Sequence, residues 1–353
     1  MRVRTVGLLV VLAVVAIAGG WYFGSATMPG EQTTVASGAL MFPGLTSKLP
    51  QVARVEITHQ RKQTVLEKRA DGGWGVASMH DYPVQEAKLR GMLTGLTELR
   101  LAEPRTKDPS EFSRLGVDDP NGVNSSADLL RLVDAAGKPI VALIAGHRRV
   151  RSQANVPDEI YVRRPGENQS WLAEGDMQVD ADASLWLDRT VMNIGHERIA
   201  SVAVGDQALV FGRQPGGKLA LTQPADHPKL EDYKVDDVAR ALELLTFQEV
   251  KADADAPKAD APGADVGHAV FTTSDGLAVT ATVFHAGKDV WARFAASAAS
   301  DKAKAEAAAL NERLAGWTYQ IGSWKEKSLV PTMDDLKAAE PAKPAAAPDA
   351  ETK

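Results

Sequence analysis

No cysteine occurs anywhere in the 353 residues. Disulfides, zinc-thiolate centres, iron-sulfur clusters and thiol nucleophiles are therefore excluded, while every cellular compartment stays open. An excess of positive charge is also lacking: 40 Lys and Arg stand against 46 Asp and Glu, a formal net charge of -6. A general nucleic-acid binder needs a basic face, so no nucleic-acid partner is expected. Recognisable catalytic signatures are missing too, since no His-Glu-x-x-His, Gly-x-Ser-x-Gly or Walker A pattern appears. Gly137-Lys138, Gly217-Lys218 and Gly287-Lys288 lack the upstream glycine and following Ser/Thr that phosphate cradling requires, and they read as hairpin turns. The histidines are scattered, and His196-Glu197 has no second histidine four residues on. No metal site and no cofactor is expected.

What is present begins with a hydrophobic content of 44% and 24% charged residues, the balance of a globular chain. Arg2 and Arg4 precede an apolar run from Val6 to Phe23. With Thr5 that run is about 19 residues and, at a helical rise of 1.5 Å, spans about 28 Å, close to the apolar thickness of a bilayer. Residues 1–27 are accordingly read as a transmembrane anchor. The flanking arginines place its start in the cytoplasm and the bulk of the chain on the other side. A cleaved signal peptide is the rival reading, with Gly24-Ser25-Ala26 as its processing site, but the run exceeds the length of a typical signal core. Residues 28–49, rich in Gly, Pro, Ser and Thr, read as a tether.

Beyond the tether the chain repeats itself. The plan of Val52–Glu103 recurs in Ile199–Lys251 at an offset of roughly 147 residues. Each copy opens with strand-like alternation, Ala53, Val55 and Ile57 in one and Ala200, Val202 and Val204 in the other. A glycine turn follows, Gly72-Gly73 or Gly216-Gly217, and then a helical stripe, Leu89, Met92, Leu93 and Leu96 or Val238, Ala241, Leu242 and Leu245. Hairpins are expected at 128–144 and 159–173, with counterparts at 269–284 and from Val290, and an Ala-rich helix at Asp301–Leu314. The expected fold is α+β: two tandem similar units of antiparallel sheet with helices packed on one face, at 50–198 and 199–337. A flexible loop at 252–265 and a disordered tail at 338–353 complete the division.

Several of these landmarks together resemble a known bacterial family. They are Gly72-Gly73-Trp74, the connector Leu115 to Pro120, Tyr161-Val162-Arg163 before Trp171-Leu172-Ala173, Trp186-Leu187-Asp188-Arg189, and Gly316-Trp317-Thr318-Tyr319 before Asp334-Asp335-Leu336. The chain is similar to the domain of unknown function 4340 family across most of Leu49 to Leu336. The resemblance implies a bacterial envelope protein of repeated α+β domains, in some cases beside ABC-type transporter components, and brings no catalytic residues with it.

Among candidate contacts, Arg148, Arg149 and Arg151 form a basic loop able to meet an anion or an acidic partner, because the guanidinium fork suits such groups. A solvated loop is the competing reading, favoured by the acidic chain. Of Trp74, Trp171, Trp186, Trp291 and Trp317, most are read as core rather than as a ligand groove. Asp118-Asp119 and Asp236-Asp237 are the acidic pairs, the second expected to cap the start of a helix. The first functional reading is a single-pass inner-membrane protein with its bulk in the periplasm, a binding or scaffolding module serving a transporter or envelope protein partner through the seam between its halves. The alternative is an envelope hydrolase using carboxylates as acid and base.

Overall fold

The computed structural model describes residues 38–150, 157–205, 207–259 and 267–338. The apolar run at 6–23, Arg151, residues 260–265 of the expected loop and the tail from 339 lie outside them. Among the described residues no helix is long and apolar enough to cross a membrane.

In chain order the elements begin with β1 (Val52–His59), β2 (Lys62–Lys68), β3 (Trp74–Val76), β4 (Tyr82–Pro83), helix α1 (Glu86–Glu98) and β5 (Arg100–Pro104). They continue with a single helical turn α2 (Phe112–Leu115), β6 (Asp128–Asp134), β7 (Pro139–Arg149), β8 (Glu159–Arg163), β9 (Ser170–Glu174) and β10 (Thr190–Met192). The later part contains β11 (Ile199–Val204), β12 (Leu209–Arg213), β13 (Leu219–Gln223), α3 (Asp232–Ala239), β14 (Leu245–Thr246) and β15 (Glu249–Ala252). It closes with β16 (Gly267–Thr273), β17 (Leu277–Ala286), β18 (Asp289–Ala298), α4 (Asp301–Leu314), β19 (Trp317–Ile321), α5 (Ser323–Leu329) and α6 (Met333–Leu336).

The fold is α+β and its strand pairings are antiparallel. One large sheet has the order β4-β3-β2-β1-β6-β7-β8-β9-β5 and a second β13-β12-β11-β16-β17-β18-β19-β15, and β10 and β14 form a separate two-stranded sheet. Taking β11 as the counterpart of β1, the two orders coincide except that no described strand in the second occupies the place of β4. The likeness extends to irregularities. A register shift falls between Val52 and Arg54 in β1 and between Ile199 and Ser201 in β11. The bulge displaces Ala53 and Ala200, so Val52 and Ile199 are buried in their stead while Val55, Ile57, Val202 and Val204 follow the expected alternation. Gly72 and Gly217, at φ 86° and 80°, turn the matching hairpins through the left-handed region that glycine enters without steric cost.

The described residues form two compact units, one of 38–63 with Arg90–Ala181, the other of Thr64–Leu89 with 182–338. In the first, Met41 and Leu45 are buried and Met41 N–H donates to Leu99 C=O at 2.7 Å, so residues 38–49, expected as tether, pack as part of the fold. In α1, Leu89, Met92 and Leu96 are buried but Leu93 is only half-buried, at the margin of the stripe. In the second unit, Val238, Ala241, Leu242 and Leu245 are all fully buried, although α3 ends at Ala239. Beyond the helix, Leu244 takes a left-handed φ of 45° and its N–H donates to Asn193 Oδ1 at 3.0 Å. Asp236 and Asp237 lie in the body of α3 and not at its start; Asp236 pairs with Arg240 one turn on, at 2.8 Å. Tyr82 anchors this unit's aromatic core, edge-on to Trp317 at 4.9 Å and to Phe247 at 5.4 Å. Burial there pushes the Tyr319 hydroxyl up to about 12. The Ala-rich helix falls at Asp301–Leu314 as read from the sequence, capped by Ser300 and seated along β18 through Ala303, Ala307 and Leu314. Asp253, in the expected flexible loop, accepts hydrogen bonds from Thr318 and Arg293 and so is held.

Candidate partner-binding surface

β13 is an edge strand, and hairpin geometry decides which of its peptide groups face outward. In the β2–β3 turn Arg69 N–H donates to Gly73 C=O at 2.8 Å. Antiparallel alternation then leaves Trp74 and Val76 facing away from β2, where their carbonyls accept from Val84 N–H at 2.9 Å and Asp81 N–H at 3.1 Å. In the β12–β13 turn Gln214 N–H donates to Lys218 C=O at 2.8 Å, so Leu219 and Leu221 occupy the same outward positions. Among the described residues neither makes a backbone hydrogen bond beyond the sheet.

Opposite that edge, across a groove of about 1020 Å³, runs the stretch 227–230. It is the counterpart of β4 by its own pairing. Glu231 N–H donates to Leu336 C=O and Ala338 N–H to Lys229 C=O, both at 3.0 Å, just as Gln85 N–H donates to Trp186 C=O at 2.7 Å and Asp188 N–H to Pro83 C=O at 2.9 Å. Leu230, in the position of Val84, thus turns its N–H toward β13 but makes no backbone hydrogen bond among the described residues. The groove is floored by Leu219, Leu221, Leu230 and Val235.

Tyr233, on the outward face of α3, is 62% exposed and lines both this groove and a second concavity of about 740 Å³, where Trp324 is 68% exposed. Lys325 joins α5 to α3 by donating to the carbonyls of Arg240 and Ala241 at 3.5 and 3.2 Å, a cation at a helix C-terminus. Burial holds its pKa below the usual lysine value. Chemically the surface offers unpaired peptide edges and two exposed aromatic rings, the equipment of a polypeptide-binding site.

Two of the landmarks read from the sequence meet in the first unit. Arg163 donates through Nε to Val117 C=O at 2.8 Å and through a terminal nitrogen to Asp118 C=O at 3.3 Å, and its guanidinium lies 4.5 Å from the centre of the Phe112 ring. Gly146 lies so close to the same connector that an added Cβ would stand 2.3 Å from Leu115 C=O. The Tyr-Val-Arg and Leu-Gly-Val-Asp-Asp-Pro motifs are two halves of one clasp. The model of the family described as Domain of unknown function (DUF4340) matches residues 74–263, more than half of the chain. The chain belongs to that family. No curated protein and no solved structure matches it. The DUF4340 match takes in β13 and α3 and ends before α5, so Trp324 lies beyond it.

In this DUF4340 chain the basic loop is largely strand: Arg148 and Arg149 end β7. Arg148 reaches Asp158 at 3.1 Å and Asp176 at 3.0 Å, and Arg149 reaches Glu159 at 3.4 Å, so both guanidiniums already have carboxylate partners; Arg151 is outside the described residues. Asp118 accepts from Ser125 Oγ at 2.8 Å and Asp119 from Asn121 N–H at 3.0 Å, both turn contacts. His196 lies 3.1 Å from Glu243 and is covered by Arg240. Trp186 and Trp291 are buried, and Trp74, Trp171 and Trp317 are half-buried. Sequence reasoning missed Tyr233 and Trp324; the signal available was an aromatic on the polar face of a short helix, flanked by charges.

Proposed function

We propose that this protein is a membrane-tethered, extracytoplasmic binding or scaffolding module serving a transporter or envelope assembly. The observation that carries the reading is the pair of exposed aromatics, Tyr233 and Trp324, at adjoining concavities of one unit. Exposed Tyr and Trp beside apolar recesses are the residues that dominate protein interfaces. The tether rests on the apolar run after Arg2 and Arg4. An envelope hydrolase is the alternative, but of the acidic pairs from which it would draw acid and base, Asp118 and Asp119 are engaged in turns and Asp236 in an ion pair with Arg240.

In-membrane photocrosslinking from Trp324, followed by mass spectrometry, tests the proposal. One envelope protein should be recovered in stoichiometric yield, and Tyr233→Ala with Trp324→Ala should abolish its recovery while the protein stays folded. Recovery of no partner, together with loss of function from a single exposed Asp or Glu, would transfer the assignment to the hydrolase.

A further inference from the structure

The groove at β13 can be given an occupant. We infer that it is a slot for an extended peptide strand of a partner protein, apolar in the middle and acidic at its flank, which inserts beside β13 where the first repeat has β4. This rests on the binding reading above and specifies its ligand.

Three observations converge. The first is the internal precedent: the outward carbonyls of Trp74 and Val76 are satisfied by the residues flanking β4, whereas those of Leu219 and Leu221 have no such strand among the described residues although the surrounding pairing is shared by the repeats. The second is the chemistry of the walls. Leu219 and Leu221 on one side and Leu230 on the other bring peptide groups to the groove over an apolar floor, and an extended backbone satisfies such edges whatever its side chains. The third is charge. Asp232 stands 3.9 Å from Lys218 and Asp236 is paired with Arg240, whereas Lys229 has no ion-pair partner among the described residues. The unanswered charge on the rim is positive and suits a carboxylate beside the strand.

The chain supplies its own probe. A fluorescent peptide of residues 79–87, Met-His-Asp-Tyr-Pro-Val-Gln-Glu-Ala, contains β4 and the acids Asp81 and Glu86. Added to the full chain purified in detergent, it should bind with unit stoichiometry. N-methylation of its Asp81 and Val84 nitrogens, the two donors used by β4, should weaken binding about tenfold or more, as expected for two lost hydrogen bonds. Replacing both acids with lysine should weaken it at low ionic strength. Because the chain has no cysteine, Ala220→Cys labelled with a bulky maleimide blocks the slot selectively and should abolish binding.

Equal binding of the N-methylated probe, or no binding at all, overturns the inference. So does spontaneous disulfide formation in the Ala220→Cys/Lys229→Cys variant, which would show that the 227–230 wall closes onto β13 itself. A dimer that dissociates on labelling Ala220→Cys would make a second copy the occupant and equally overturn it. If crosslinking from Trp324 recovers a partner while the probe fails, the binding reading stands and only the slot falls.

Discussion

At Asp128 two effects on one carboxyl oppose each other. Burial pushes its pKa above the ordinary 3.8, and His59, whose Nδ1 lies 2.9 Å from Oδ1, pulls the other way and is outweighed. An acid whose folded pKa is raised contributes stability that is fully present below the unfolded value and lost as the pH rises through the folded one. The wild type should therefore gain stability relative to Asp128→Asn on acidification toward pH 3.8, and lose that advantage as the pH rises above it. Urea unfolding of both proteins across pH measures this, and a pH-independent difference would contradict it. Asn311 works differently, as a stand-in for a strand. β19 pairs with β18 only as far as Ala292, and beyond it Asn311 accepts from Ala296 N–H at 2.8 Å and donates to Ala296 C=O at 2.7 Å. Asn311→Leu should cost about 1–3 kcal/mol, the penalty for leaving such groups unpaired, read from the shift in urea midpoint.

For the helices and strands, the hydrophobic stripes make the sharpest claim. Leu242→Ala should cost about 2–5 kcal/mol because the side chain is fully buried, whereas Leu93→Ala, half-exposed, should cost less than half as much. Thermal or chemical denaturation of the two variants decides it, and equal losses would mean that burial does not set the difference. Elements with strong local periodicity were legible in the sequence: the hairpins, both glycine turns and the helix at Asp301–Leu314. The bulges at Ala53 and Ala200 were not, since an extra residue in one strand is defined by the partner it fails to face. The end of α3 was hidden for a similar reason, the stripe continuing through Leu245 after the helix has stopped. The β13 slot was out of reach altogether, because an unpaired edge is a property of sheet order, and the period-two pattern of a strand is the same whether one neighbour is present or two.

For the whole molecule, the proposed tethered topology has a direct check. A reporter active only outside the cytoplasm, fused after Lys337, should be active, and deletion of 6–23 should release the protein from the membrane fraction; activity confined to the cytoplasm would reverse the orientation. The repeat was readable because both copies keep the same succession of strand, glycine turn and helix patterns along the chain, and it governs how the chain must be completed. β15 pairs with β19, Val250 opposite Tyr319, and β5 with β9, Leu101 opposite Ala173, so each of these edge strands waits some seventy residues for its neighbour. A chain arriving from its N-terminus cannot seat β5 before β9, or β15 before β19, has been made, and a stop codon before Trp317 would remove β19 and orphan β15 with it. The last strand of each repeat is thus its keystone, and premature ends should produce proteolytic debris and not shortened, working proteins.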